Sequence, residues 1–275
     1  MKKSIFKLKN KVIPTSLTEN QFAEFVFPHL SVGKRGPQSK LPLHRIFNYI
    51  LQVIYTGMQW KMLPIAIDAR TGKPEIHYTR IFKIYQRWAY DRSLEHVFEY
   101  TVKMLVTNNL TDLTVLHGDG SSTPAKKGGD MIGYNGHKHF KGEKVVAIVD
   151  RNVNVISPYT TAAGNRNESP LFSSALSSLK SIAKAVGISI SGSLMSLDGA
   201  YDSTKNRKLI FNSGMIPNIN ENKRNRKKTN AARNVCLILP YLKSDLKRLN
   251  GCSHGKINLN DCYFVSREKA KIILV

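Results

Sequence analysis

Two short runs, Leu116-His-Gly-Asp-Gly-Ser-Ser-Thr123 and Ser196-Leu-Asp-Gly-Ala-Tyr-Asp-Ser203, each bring a strand-like stretch to an aspartate, Asp119 and Asp198. Carboxylates at the ends of neighbouring strands suit hard divalent cations, which take oxygen ligands. A two-metal site of Mg²⁺ (or Mn²⁺), with the ions about 3.5–4 Å apart, can activate a water or 3′-hydroxyl. It can also stabilise the leaving oxygen during in-line displacement at phosphorus. A single Asp-Gly pair is more often a turn than a ligand, so the reading depends on the elements around the two aspartates. His137 and His139 could also suggest a metal site. They stand among Gly136, Lys138 and Lys141, and read better as a solvated loop facing DNA.

Those elements are legible in residues 111–220. Residues 113–117 form a strand pattern that runs into Asp119, and residues 144–149 and 153–157 read as a hairpin around Asp150-Arg-Asn152. Ser169-Pro170 opens a helix with proline at a favoured first-turn position; its apolar face includes Phe172, Leu176, Leu179 and Ala183, and Gly187 ends it. A strand over 193–197 reaches Asp198, a helix follows over 201–212, and a last strand covers 215–219. The order β, β, β, α, β, α, β predicts an α/β fold, a ribonuclease H-like mixed sheet. In that fold the first and fourth strands lie side by side and carry one acid each.

The first 110 residues read as helical. Thr18 and Gln21 form a capping box ahead of Phe22, Phe25 and Val26. Leu43, Ile46, Phe47, Ile50, Leu51 and Ile54 recur at helical spacing before Gly57. Further helical patterns run through Ile81, Ile84, Tyr85 and Trp88, then Leu94, Val97, Phe98, Val102 and Leu105. Aromatic stripes at this spacing are core. The interleaved Arg80, Lys83, Arg87 and Arg92 suit either a solvated face or a DNA-contacting one. The expected organisation is a helical, DNA-binding N-terminal domain over 1–110, an α/β domain over 111–230, and a distinct tail over 231–275.

Composition agrees with a polyanion partner. The 42 Lys and Arg against 19 Asp and Glu give a formal charge of +23 over 275 residues, while 41% hydrophobic residues allow a sizeable core. A ribosomal or packaging protein could carry this excess, but would give no reason for paired acids at strand ends. The lysines of Met1-Lys-Lys-Ser-Ile-Phe-Lys-Leu-Lys-Asn10 lack the apolar run of a signal peptide, and no stretch approaches membrane-span length. A cytoplasmic protein is expected. Cys236, Cys252 and Cys262 all fall in the last forty residues and match no zinc spacing.

Several motifs in order carry a resemblance. Gly33-Lys-Arg-Gly-Pro-Gln-Ser-Lys-Leu-Pro-Leu-His-Arg-Ile-Phe-Asn48 and Tyr55-Thr-Gly-Met-Gln-Trp-Lys-Met-Leu-Pro64 resemble the amino-terminal domain of bacterial insertion-sequence transposases of the insertion sequence 4/5 superfamily. Asp119-Gly-Ser-Ser-Thr-Pro-Ala-Lys-Lys-Gly-Gly129, Gly164-Asn-Arg-Asn-Glu-Ser-Pro-Leu171 and Asp198-Gly-Ala-Tyr-Asp-Ser203 resemble their catalytic domain. The resemblance covers about residues 17–229. It implies that Asp119 and Asp198 are the first two acids of a DDE triad, cutting at element ends and joining the freed 3′-hydroxyl to target DNA. Double-stranded DNA, a homo-oligomer assembled on it, and a nucleoid-associated location in bacterial cytoplasm follow as expectations. Lys126, Lys127, Lys138, Lys141, Arg166, Lys223, Arg224, Arg226, Lys227 and Lys228 are the expected DNA-binding residues.

The resemblance breaks after Thr229. Such transposases continue into a helix with an arginine, then a Glu-Arg-x-Phe-Ala-Trp motif, whose glutamate is the third acid. This chain runs instead through Ala231-Ala-Arg-Asn-Val-Cys-Leu-Ile-Leu-Pro240, and beyond Asp202 its only glutamates are Glu221 and Glu268, neither in that context. Back-translated with permitted codons chosen with the motif in view, and read one base earlier, residues 231–275 can spell Leu-Glu-Arg-Leu-Phe-Ala-Trp on a helical pattern. A frame shift near Lys227-Lys228, whose codons can form an A-run, accounts for the tail. The catalytic glutamate would then be absent from this frame. The chain is expected to be either a transposase by descent or a truncated, non-catalytic DNA-binding product that acts as an inhibitor or regulator.

Overall fold

The computed structural model describes residues 16–33, 39, 41–125 and 131–222. The chain divides into two compact units, one ending at Ser93 and the other starting at Leu94. The expectations for the tail 231–275 lie outside the described residues.

The first unit is helical. Helix α1 (Glu19–Phe25) begins at the predicted capping box. The Gln21 N–H donates to the Thr18 hydroxyl at 3.2 Å, and the Thr18 N–H donates to the Gln21 side chain at 2.9 Å, a cap worth about 1 kcal/mol. Helix α2 (Leu43–Thr56) stops at Gly57, whose φ of 65° lies in the left-handed region that glycine enters at little cost. It buries Ile46, Phe47, Ile50, Leu51 and Val53, while Leu43 and Ile54 of the predicted stripe are half-buried. Helix α3 (Tyr78–Tyr90) buries Ile81, Tyr85 and Trp88. Phe47 packs on Phe22 and Trp88 with ring centroids 5.4 and 6.2 Å apart, and the Trp88 indole donates to the Ser31 carbonyl at 2.9 Å. The aromatic stripe is therefore core. Arg80 and Lys83 are exposed, whereas Arg87 is drawn inward and donates to the Ser31 carbonyl at 3.2 Å.

In the second unit, six strands form one mixed sheet with β1 (Val115–Pro124) at its centre. On one side β1 runs antiparallel to β3 (Phe140–Asp150), from Leu116 opposite Asp150 to Pro124 opposite Gly142. On the other side it runs parallel to β5 (Leu194–Leu197), and β6 (Ile216–Ile219) extends the sheet parallel to β5. Two short strands, β2 (Gly133–Asn135) and β4 (Thr160–Ala163), pair antiparallel with β3. This is the predicted ribonuclease H-like arrangement, with the strand after helix α5 (Glu168–Val186) laid parallel beside the first. Alternate residues of β3 serve two apolar clusters. Val146 and Ile148 pack with Leu116, Leu179 and Met195, and Val145, Ala147 and Val149 pack with Phe98 and Val102 of helix α4 (Ser93–Thr107). A strand covered on both faces reads as an unbroken apolar run.

Besides β2, a short strand absent from the predicted order, three details differ from the expectation. The strand predicted over 153–157 is only an isolated bridge, Val149 to Val155, and the pairing strand lies later, at β4. The cause is the buried Asp150 carboxylate. It accepts from the Asn154 N–H at 2.7 Å, the Asn154 side-chain amide at 3.1 Å and the Asp112 N–H at 2.9 Å, and so closes a local loop that leads the backbone away from the ladder. Strand β1 runs on through the turn-like Asp-Gly-Ser-Ser-Thr stretch, because its register with β3 holds that stretch extended. The helix predicted from Tyr201 is broken. A 3₁₀ turn over Gly199–Tyr201 precedes helix α6 (Thr204–Asn212), which Ser203 caps.

Candidate active site

The parallel register of β1 and β5 pairs Val115 with Leu194 through Gly118 with Leu197. The next residue on each strand is an aspartate: Asp119, inside β1, and Asp198, directly after β5. Neighbouring strands run about 4.8 Å apart, so the two acids arrive side by side. Gly118 lets the strands approach here, since a Cβ at that position would lie 2.5 Å from Leu197 Cδ2. Asp119 is half-buried, and its Oδ1 accepts from the Gly120 N–H at 2.8 Å. Asp198 is exposed and caps the following 3₁₀ turn, its Oδ1 accepting from the Ala200 N–H at 2.8 Å.

Two further residues that the sequence pattern does not single out lie in the neighbouring elements, Glu168 at the start of α5 and Tyr201 in the 3₁₀ turn after β5. Glu168, at the start of α5, lies against Gly120, where a Cβ would come within 2.6 Å of its carboxyl carbon and Oε2. Its Oε1 accepts from Lys144 Nζ at 2.9 Å in a half-buried ion pair. Tyr201 is fully buried, its ring packed edge-on to Phe172 at 6.0 Å, and its hydroxyl has no hydrogen-bond partner among the described residues. Burial, and then the negative charges of Glu168, Asp119 and Asp198, hold its phenol well above the ordinary tyrosine pKa. The hydroxyl therefore remains protonated in the joint field of three carboxylates.

Asp202 closes the same run but has a structural role. It accepts from Arg207 Nε at 3.1 Å and Nη2 at 2.9 Å, and from the Asn222 N–H at 2.9 Å. Arg207 also donates to the Ile219 carbonyl at 2.9 Å, which ties α6 to the end of β6.

The donor chemistry of Asp119 and Asp198 suits a hard divalent cation. The set is nonetheless incomplete: among the described residues, no group of three or more His, Cys, Asp or Glu is arranged to hold a metal ion. His137 and His139 lie in the turn between β2 and β3, away from the acids along the strand.

Of the predicted DNA-binding residues, Lys138 and Lys141 are exposed at that turn and at the start of β3. Arg166 is exposed on the β4–α5 link, whose Asn165 rests against Gly133 of β2, so all three gather at one end of the sheet. From Lys141 to Ala147, the partner of Asp119, is about 20 Å of extended strand. Lys126, Lys127, Lys223, Arg224, Arg226, Lys227 and Lys228 lie outside the described residues.

No curated protein matches the chain. Among solved structures, a Mos1 transposase paired-end complex with left transposon end aligns at a TM-score of 0.28 and 11% identity, covering 72% of this chain and 65% of that one. A Mos1 mariner paired-end complex with Mn aligns at 0.26 and 12%, covering 72% and 64%. The chain thus spans just under two thirds of each, and likenesses at these TM-scores carry no argument about function. The family model described as "Transposase DDE domain" matches residues 110–269. That is more than half of the chain, which therefore belongs to the transposase DDE domain family.

Proposed function

We propose that the chain is a transposase of a bacterial insertion sequence, of the insertion sequence 4/5 superfamily. It binds its element ends in double-stranded DNA as a homo-oligomer, in the nucleoid, and uses Asp119 and Asp198 for metal-dependent strand cleavage and strand transfer. The observation that carries this reading is the parallel β1–β5 register, in which Asp119 and Asp198 are the next residues in line after Gly118 and Leu197. Mg²⁺ or Mn²⁺ bound there supplies activation of the nucleophile and compensation of charge at the leaving oxygen. The two aspartates bind and orient the ions. Lys138, Lys141 and Arg166 engage phosphates, and so do Lys126, Lys127, Lys223, Arg224, Arg226, Lys227 and Lys228; such contacts position a duplex without reading its sequence. The helical unit, with Arg80 and Lys83 exposed, serves as the DNA-binding domain.

A second reading is a non-catalytic DNA-binding product, and the lack of a three-ligand group among the described residues favours it. It goes with a shifted reading frame after about residue 229 that removes the third acid. The family match continues to residue 269, through most of that stretch, which weighs against a wholly foreign tail. The coding DNA around codon 229 decides the point.

The experiment is strand cleavage of end-bearing DNA with Mg²⁺ or Mn²⁺. The enzymatic reading expects cleavage by this chain, lost in Asp119→Ala and in Asp198→Ala. Binding without cleavage, with cleavage restored by the frame-corrected chain, supports the second reading. Cleavage that survives either aspartate change overturns the site.

A further inference from the structure

Between α2 and α3 the chain makes a projection that is well built but hardly buried. Residues 66–75 form a tight hairpin. Ile67 pairs antiparallel with Pro74, the Asp68 N–H donates to the Lys73 carbonyl at 2.9 Å, and the Glu75 N–H donates to the Ala66 carbonyl at 2.9 Å. At the tip the Asp68 carbonyl accepts from the Thr71 N–H at 3.2 Å and the Gly72 N–H at 2.8 Å, with Gly72 at a left-handed φ of 64°. Apart from Asp68 and Glu75, every residue of the hairpin is exposed. A bare two-stranded hairpin is marginal in water, and α2 steadies this one at its base. The Tyr49 hydroxyl donates to Glu75 Oε1 at 2.6 Å and accepts from the Ala66 N–H at 3.0 Å, so one group bridges both strands. Arg45 Nη2 holds Glu75 Oε2 at 2.9 Å. Charge is sorted along the hairpin. Its acids are engaged by the fold: Asp68 Oδ1 accepts from the Arg70 N–H at 2.9 Å, and Glu75 is taken by Tyr49 and Arg45. Arg70 and Lys73, at the tip, have no acid partner among the described residues.

Resting on the reading of the helical unit as a DNA-binding domain, we propose that hairpin 66–75 is an arm that grips duplex DNA. Arg70 and Lys73 engage backbone phosphates, and Tyr49, Glu75 and Arg45 are positioning residues that hold the arm ready. Charge selects the partner: a chain of +23 places two uncompensated cations on an outward projection, where they serve no core contact. Ordering the arm in advance reduces the entropy lost when its cations engage. A hairpin kept only for the fold would have no use for the two tip cations.

The test is fluorescence anisotropy of a labelled duplex of mixed sequence with the full chain across a salt series, with thermal unfolding of each variant. Arg70→Ala combined with Lys73→Ala should weaken binding about tenfold or more and lower the slope of log K against log salt by about two. Both side chains are exposed, so this variant should melt as wild type does. Tyr49→Phe keeps the ring and loses the bridge; it should weaken binding with the slope unchanged, and that loss should vanish once the tip cations are gone. A loss that persists without them would overturn the positioning role. Tip variants that bind as wild type does, with binding weakened by Arg80→Ala and Lys83→Ala, would overturn the arm and leave the helical unit as the DNA-binding domain. Binding untouched by either pair, or no binding by wild type, would overturn that reading and this proposal together.

Discussion

Four aspartates of the α/β unit have similar sequence surroundings and different roles, which their neighbours decide. Asp119 and Asp198 meet through strand register, Asp202 is clasped by Arg207, and Asp150 is sealed in the core among three N–H donors. Sequence could single out the first two because each follows a strand pattern. It could not reveal Glu168, whose approach depends on the missing side chain at Gly120, nor the orphaned Tyr201 hydroxyl. Asp150 gives a prediction at this scale. Asp150→Ala strands buried donors and should cost about 3 kcal/mol in urea unfolding. Burial raises the Asp150 pKa above its ordinary value, against the opposing hydrogen bonds. The native state then holds this proton more tightly than the unfolded chain. Its contribution to stability is full below about pH 4 and declines as pH rises through the folded-state pKa. In unfolding curves from pH 4 to 7, that decline should be present in wild type and missing from Asp150→Asn.

At the scale of elements, propensity and period gave the helices and the order of strands, and tertiary pairing set their ends. The Asp119-Gly-Ser-Ser-Thr123 stretch has turn-forming composition, yet five residue pairs with β3, from Asp119 opposite Ala147 to Thr123 opposite Glu143, hold it extended. The 153–157 stretch has strand composition, yet the Asp150 loop removes it from the ladder. Helix α4 shows the limit of an amphipathic pattern: it announces that a face is buried without saying where, and Phe98 and Val102 pack with β3 residues. The β1–β3 pairing gives a second prediction. A Cβ at Gly142 would lie 2.0 Å from the Thr123 carbonyl oxygen, which is backbone, whereas one at Gly118 meets only the end of the Leu197 side chain at 2.5 Å. Gly142→Ala should therefore destabilise by about 3 kcal/mol or more, and Gly118→Ala by about 1 kcal/mol, as read by thermal unfolding.

For the whole molecule, the charge of +23 is an argument about partners and not about fold. Binding of duplex DNA should weaken steeply with salt, and Lys138→Ala, Lys141→Ala and Arg166→Ala should each lower the slope of log K against log salt by about one. No helix among the described residues is long and apolar enough to cross a membrane. The central claim is that Asp119 and Asp198 jointly hold a divalent cation, and the most direct measurement is a crystal structure of the full chain soaked in Mn²⁺, read by anomalous scattering. The account predicts a manganese peak within coordination distance of both carboxylates, about 2–2.5 Å. Carboxylates more than about 10 Å apart, or manganese bound elsewhere with none between them, would contradict it, since a two-metal site spans only about 4 Å.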